Sequence, residues 1–184
     1  MIILILGISI FIGMHLIPSF VPLRQKLVTR LGEGPYNGLY SVISLTGIVL
    51  IIIGMSRADY LPIWEPPIWN RMVVMPLMML SFILLAAAHA PSNIKRFTRH
   101  PMLWGITLWA AAHLLANGDL ASILLFSAFA VFSLFDMFSA NLRGAKKQLK
   151  KLPVKNDVIT IIAGLAVYTI FVFLHPYLFG VAII

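Results

Sequence analysis

Lys95-Arg96-Phe97-Thr98-Arg99-His100-Pro101-Met102-Leu103-Trp104-Gly105 carries a basic, histidine-bearing turn straight into an apolar segment that holds a second histidine, His113. From Pro101 to Gly118 there is no Asp, Glu, Lys or Arg. Charge immediately followed by an uncharged apolar run reads as a helix leaving the headgroup layer for the interior of a bilayer. Proline at the junction suits a first helical turn, where its missing N–H costs nothing.

The same alternation repeats on both sides of this stretch. With 60% hydrophobic residues, 11% charged residues and a mean hydropathy of +0.96, the chain is too apolar for a water-soluble domain. Apolar segments run over Met1–Phe20, Tyr36–Met55, Arg71–His89, Pro101–Ala116, Leu120–Phe138 and Asp157–Phe179. Spans of ~20 residues cross a hydrocarbon layer of ~30 Å, so the fourth, at about sixteen residues, is expected to borrow a turn from Ile94–His100. Pro18 and Pro22 are read as ending the first span, and residues 21–35 as a basic linker. A basic start and a small-residue cleavage site are lacking at the first segment, which is therefore expected to be a retained helix. The expected fold is all-α: one polytopic membrane domain over residues 1–184, a bundle of about six transmembrane helices.

Twelve of the fourteen Lys and Arg residues fall in the links after the first, third and fifth segments. By the positive-inside rule these links are cytoplasmic and both termini lie on the non-cytoplasmic side. The formal charge of +8 is thereby an orientation signal, and no nucleic-acid partner is expected. Membrane lipid is the expected surrounding. With no cysteine in the chain, disulfides, thiolate metal ligands and a cysteine nucleophile are excluded. Paired catalytic carboxylates, a phosphate loop and an H-E-x-x-H helix are also missing, which leaves hydrolase and nucleotide-dependent chemistry without support.

All five histidines, His15, His89, His100, His113 and His175, fall in or at the ends of apolar segments. Imidazole at membrane depth either ligates a metal or haem iron, or hydrogen-bonds to a neighbouring carbonyl. Depth separates them. His15 lies about 20 Å along its helix from the outer face, and His113 about 18 Å along its own from the inner face, at ~1.5 Å per residue. The two helices run in opposite directions, so both rings fall inside the membrane and a haem between them is geometrically allowed. Trp109, four residues before His113, shares its face, while Ala110, Ala111 and Ala112 leave room for a flat ring or another backbone. His89 and His100 belong to the cytoplasmic end and His175 to the outer end. Together with Arg99, His89 and His100 are candidates for an anion or substrate-headgroup site; orientation alone also accounts for Lys95 and Arg96. Asp136 is expected to pair with Arg99 or a histidine, or to lie at the surface. The run from Lys146 to Lys155 reads as a solvated link.

Gly13-Met14-His15-Leu16-Ile17-Pro18-Ser19, Arg99-His100-Pro101-Met102-Leu103-Trp104-Gly105 and Trp109-Ala110-Ala111-Ala112-His113-Leu114-Leu115-Ala116-Asn117-Gly118-Asp119 resemble the NnrU family. These are bacterial membrane proteins linked to nitric oxide and nitrite metabolism, and similar to plant zeta-carotene isomerase. The resemblance implies an inner-membrane location and a haem b site with His15 and His113 as iron ligands. It further implies a redox-gated isomerase acting on a hydrophobic small molecule, or an accessory or sensor factor in denitrification. Arg99-His100-Pro101 with Gly105 also resembles the isoprenylcysteine and phospholipid methyltransferases, which implies S-adenosylmethionine at the cytoplasmic face. The acidic and aromatic motifs that follow in those enzymes are missing here. A non-catalytic membrane scaffold with structural histidines is the third alternative.

Overall fold

The computed structural model describes residues 1–181 and 183, and among them the secondary structure is helical. Eight helices follow in order: α1 (Ile2–Leu16), α2 (Val21–Leu31), α3 (Glu33–Ser56), α4 (Asn70–His89), α5 (Ile94–Phe97), α6 (Pro101–Ala116), α7 (Leu120–Leu142) and α8 (Val154–Phe179), with a 3-10 turn over Ile17–Ser19 behind α1. Helix α1 with its 3-10 turn, α3, α4, α7 and α8 are each long and apolar enough to cross a membrane, and α6 is a shorter apolar helix of 16 residues. The result is a polytopic membrane bundle. Large apolar side chains such as Leu45, Ile159 and Phe173 remain exposed along these helices, as lipid-facing surfaces require.

Two local expectations are corrected. Most of the basic linker expected over residues 21–35 is helix α2, Val21–Leu31. Pro22 stands in its first turn, where proline starts a helix instead of ending one, and Gly32, at φ +82°, terminates it. Its Val21, Leu23 and Leu31 stay exposed beside Arg24, Lys26 and Arg30, the composition of a helix lying in a membrane interface. Helix α6 borrows nothing from Ile94–His100. Pro101 forces His100 out of the helical region, to φ −128° and ψ 59°, and Thr98 is extended, so α5 stands as a separate turn.

Packing places the helices in a row, α3–α1–α7–α6–α4–α8. Small residues set the closest approaches, because apolar side chains gain nothing by leaving lipid and backbones must meet instead. A methyl group at Gly54 would stand 2.5 Å from the backbone of Leu4, one at Gly7 2.6 Å from Ile51 N, and one at Gly47 2.9 Å from the backbone of Phe11. Leu4 with Phe11 on α1, and Gly54 with Gly47 on α3, are spaced seven residues apart, so the two antiparallel helices are locked in one register. On the other side, Ser81 Oγ in α4 donates to Gly105 O in α6 at 2.8 Å, and Gly164 brings α8 against Ile83 of α4. Thr107 Oγ1 and Ser133 Oγ join α6 to α7 at 2.8 Å. Between α1 and α7 the contact is thinner: Leu4 shares a core cluster with Ala121 and Leu125, and at the level of Phe11 and His15 the contact is made by rings.

Candidate functional site

The seam between α1 and the α6–α7 pair contains both intramembrane histidines of interest. Gly47 draws the backbone of Phe11 onto α3, and the Phe11 ring packs on His15 at a centroid distance of 4.1 Å and on Phe129 of α7 at 5.5 Å. His15 further touches Tyr40 of α3 at 5.5 Å and Phe132 of α7 at 6.0 Å. On α6, Trp109 lies 4.9 Å from His113 and 5.6 Å from the same Phe129. His113 is stacked on Phe126 at 4.4 Å. Phe129 therefore joins two otherwise separate groups, each built around one imidazole.

The two histidines are presented alike. His15 Nδ1 is 2.8 Å from the carbonyl of Phe11, and His113 Nδ1 is 2.8 Å from the carbonyl of Trp109, each four residues earlier in its helix. A carbonyl only accepts, so Nδ1 carries the proton and Nε2 of each neutral ring keeps its lone pair. This is the presentation that a metal-bound imidazole takes, with the far nitrogen tied to a carbonyl and the near one free. By donor chemistry His15 and His113 fit haem iron. Their levels differ: Phe126 and Phe132, the α7 partners of the two rings, are six residues apart, a rise of about 9 Å. Phe11, Phe129 and Trp109 are packed in that interval, and these side chains would have to move for both nitrogens to meet one iron.

The remaining candidates lie elsewhere. His89, Arg99 and His100 line one cavity at the Lys/Arg-rich end of the bundle, where α4 ends and α6 begins. Arg99 Nη1 and His100 Nε2 both donate to Asn141 Oδ1, at 2.9 and 3.0 Å. His175 is at the C-terminal end of α8, close enough to His113 for its charge to act there, with Nδ1 2.7 Å from the carbonyl of Val181. Asp136 pairs with neither Arg99 nor a histidine. Its partners are Arg143 at 3.3 Å and the hydroxyl of Ser19 at 2.9 Å, because one helical turn beyond the end of the predicted segment brings Arg143 back over it. No cluster of three or more His, Asp or Glu suited to a metal ion occurs among the described residues, so a metal here would be held by fewer protein ligands, as haem iron is. Sequence reasoning missed Phe129 and Asn141. Nothing in their local sequence marks them; only the helix order puts each between two candidate residues.

A family model described as NnrU protein matches residues 3–183, nearly the whole chain. The chain belongs to the NnrU family. No curated protein and no solved structure matches it. The match takes in α1, the Arg99-His100-Pro101 junction and α6 together, so within this NnrU-family chain the histidine seam and the basic cavity both lie in the matched region.

Proposed function

We propose that this NnrU-family chain is a haem b protein of the bacterial inner membrane, with His15 and His113 as iron ligands and Trp109 packed against the macrocycle. The observation that carries the reading is the shared presentation of the two rings: each has Nδ1 bonded to the carbonyl four residues back, the aromatic ring of that same residue packed against it at a tilt, and Nε2 free. Bound there, haem supplies a one-electron redox centre within the membrane. The chain's own contribution is to fix the tautomer and orientation of both imidazoles and to exclude water with Phe126 and Phe132, the rings of α7 beside them. Room for the macrocycle is made in the one contact of α1 that rests on side chains, which rotate, and not on backbones.

The role that follows is that of a sensor or accessory factor in nitrogen-oxide metabolism. A redox-gated isomerase is the second reading, favoured by the aromatic lining of the seam, which suits a long apolar substrate better than a polar one. The orientation in this reading puts the Lys/Arg-rich end in the cytoplasm.

The test is an absorption spectrum of the detergent-purified protein after haem supplementation. A Soret band that shifts on reduction is expected, with His15→Ala and His113→Ala each abolishing or altering it and His89→Ala, at the Lys/Arg-rich end, leaving it unchanged. A colourless protein overturns the proposal. Nitric oxide that shifts the reduced band supports the sensor; a reduced protein that rearranges a cis-polyene supports the isomerase.

A further inference from the structure

The cavity at the Lys/Arg-rich end, about 570 Å³ in volume, has a lining divided by chemistry. Lys95, Arg99, Lys146 and Lys147 with His89 and His100 supply its polar part, while Ala88, Leu103 and Ala140 bring the apolar ends of α4, α6 and α7 to it. Its one acid, Asp136, is already engaged by Arg143 and Ser19. Among the described residues none of the four lining cations is in an ion pair. Four like charges around one concavity repel one another unless an anion joins them.

The arrangement is also held in place. Asn141 Oδ1 aligns Arg99 and His100 side by side. Gln148 N donates to Lys95 O at 3.1 Å, which fastens the link after α7 to α5. The buried Asn93 then ties three segments together: its Nδ2 donates to Leu152 O at 2.9 Å and to Asp157 Oδ2 at 2.7 Å, while its Oδ1 accepts from Leu152 N at 2.8 Å. The link after α7 is thus not a solvated run throughout. Lys146 and Lys147 line the cavity, while Lys150 and Lys151 stay exposed outside its lining.

We propose that this cavity is a phosphate-binding site, taking the phosphate group of an anionic lipid or of a soluble phosphate. A guanidinium held beside an imidazole, with three lysines in the same lining, matches a tetrahedral anion with several acceptor oxygens. Basic pockets between transmembrane helices hold anionic headgroups in this way, and the apolar helix ends offer a surface to the adjoining glycerol and first acyl carbons. The site is independent of whether iron is bound in the seam.

The experiment uses the full chain in detergent, with short-chain phosphatidylglycerol, short-chain phosphatidylcholine and inorganic phosphate as probes. Binding is read by native mass spectrometry and by the shift in unfolding midpoint. Phosphatidylglycerol is expected to bind in preference to phosphatidylcholine. Arg99→Gln and Lys146→Gln should each weaken it about fivefold, the effect of one basic residue at an anionic surface, and Asp136→Asn should tighten it. Lys150→Gln with Lys151→Gln removes more charge and should leave binding unchanged. Arg99 and Lys146 are exposed, so their variants should unfold like the parent in lipid-free detergent; Arg99→Lys, which keeps the charge, should fall between parent and Arg99→Gln. Phosphatidylglycerol that binds and is not displaced by an equal concentration of phosphate assigns the source to lipid, and phosphate bound with no phosphatidylglycerol retained assigns it to a soluble ester. Equal retention of both lipids with no phosphate bound overturns the proposal. So does equal weakening by the Lys150 and Lys151 changes, or S-adenosylmethionine binding lost in Arg99→Gln.

Discussion

Helix α1 meets α3 with its backbone and α7 with its rings. Against α3, three glycines bring main chain to main chain, with Gly54 at Leu4 and Gly47 at Phe11 leaving no space for even one added carbon. Against α7, Phe11 and His15 reach out to Phe129 and Phe132 at centroid distances of 5.5 and 6.0 Å. Both contacts are apolar and both lie at membrane depth, yet they differ in what can be changed. A glycine contact has no side chain to rotate away, so whatever enters it must separate the helices. A ring contact can open by rotation about χ1 and χ2 alone, and a ligand that enters exchanges ring contacts for its own.

Three substitutions sharpen that comparison. Gly54→Leu drives a branched side chain into the Leu4 backbone and should cost the most, about 3 kcal/mol or more, an upper-range case of overpacking; the midpoint of an SDS unfolding titration in mixed micelles should fall steeply. If the midpoint stays, α1 and α3 are not in this register. Phe129→Ala removes the ring shared by Phe11 and Trp109 and should cost about 1–3 kcal/mol in the same titration, two aromatic pairs' worth. Its haem uptake should rise while that of Gly54→Leu falls, which is the sharpest separation of the two contacts. A loss of haem in Phe129→Ala would mean that this ring supports the macrocycle and does not occupy its place. Ser81→Ala deletes the hydroxyl that bonds to Gly105 O and should have the smallest effect, about 0.6 kcal/mol, as typical of interhelical hydrogen bonds in membranes. A drop several times larger would show that α4 and α6 are held by that bond and not by the close approach at Gly105.

The six apolar helices were legible because hydropathy and charge act over whole segments, and lipid leaves few alternatives to a helix. Helix α2 was not, because Pro22 is ambiguous: the same residue ends one helix or opens the next, and only the turn at Ile17–Ser19 decides between them. The separation of α5 from α6 was implicit in Pro101, whose effect on His100 is local, but was outweighed by the need for length. At the candidate site the histidines were visible as costly residues in apolar runs, and Trp109 as a neighbour at helical spacing. Phe129 and Asn141 were hidden among ordinary residues of α7, since their significance depends on α7 standing between α1 and α6. The register of Gly47 and Gly54 against α1 was hidden for the same reason: one strip of glycines reads the same whichever helix it faces.

The Asn93 clamp bears on the order in which the molecule is completed during synthesis. Helix α8 leaves the ribosome after α1 to α7 and packs on α4, yet its first turn supplies Asp157, which accepts from both the backbone and the side chain of Asn93 at 2.6 and 2.7 Å. A nascent chain that has inserted α1 to α7 already has the histidine seam, because every residue of it precedes Arg143. The wall of the basic cavity is still loose at that stage. It is fastened only when α8 docks, so the seam and the cavity mature at different moments in the life of one polypeptide.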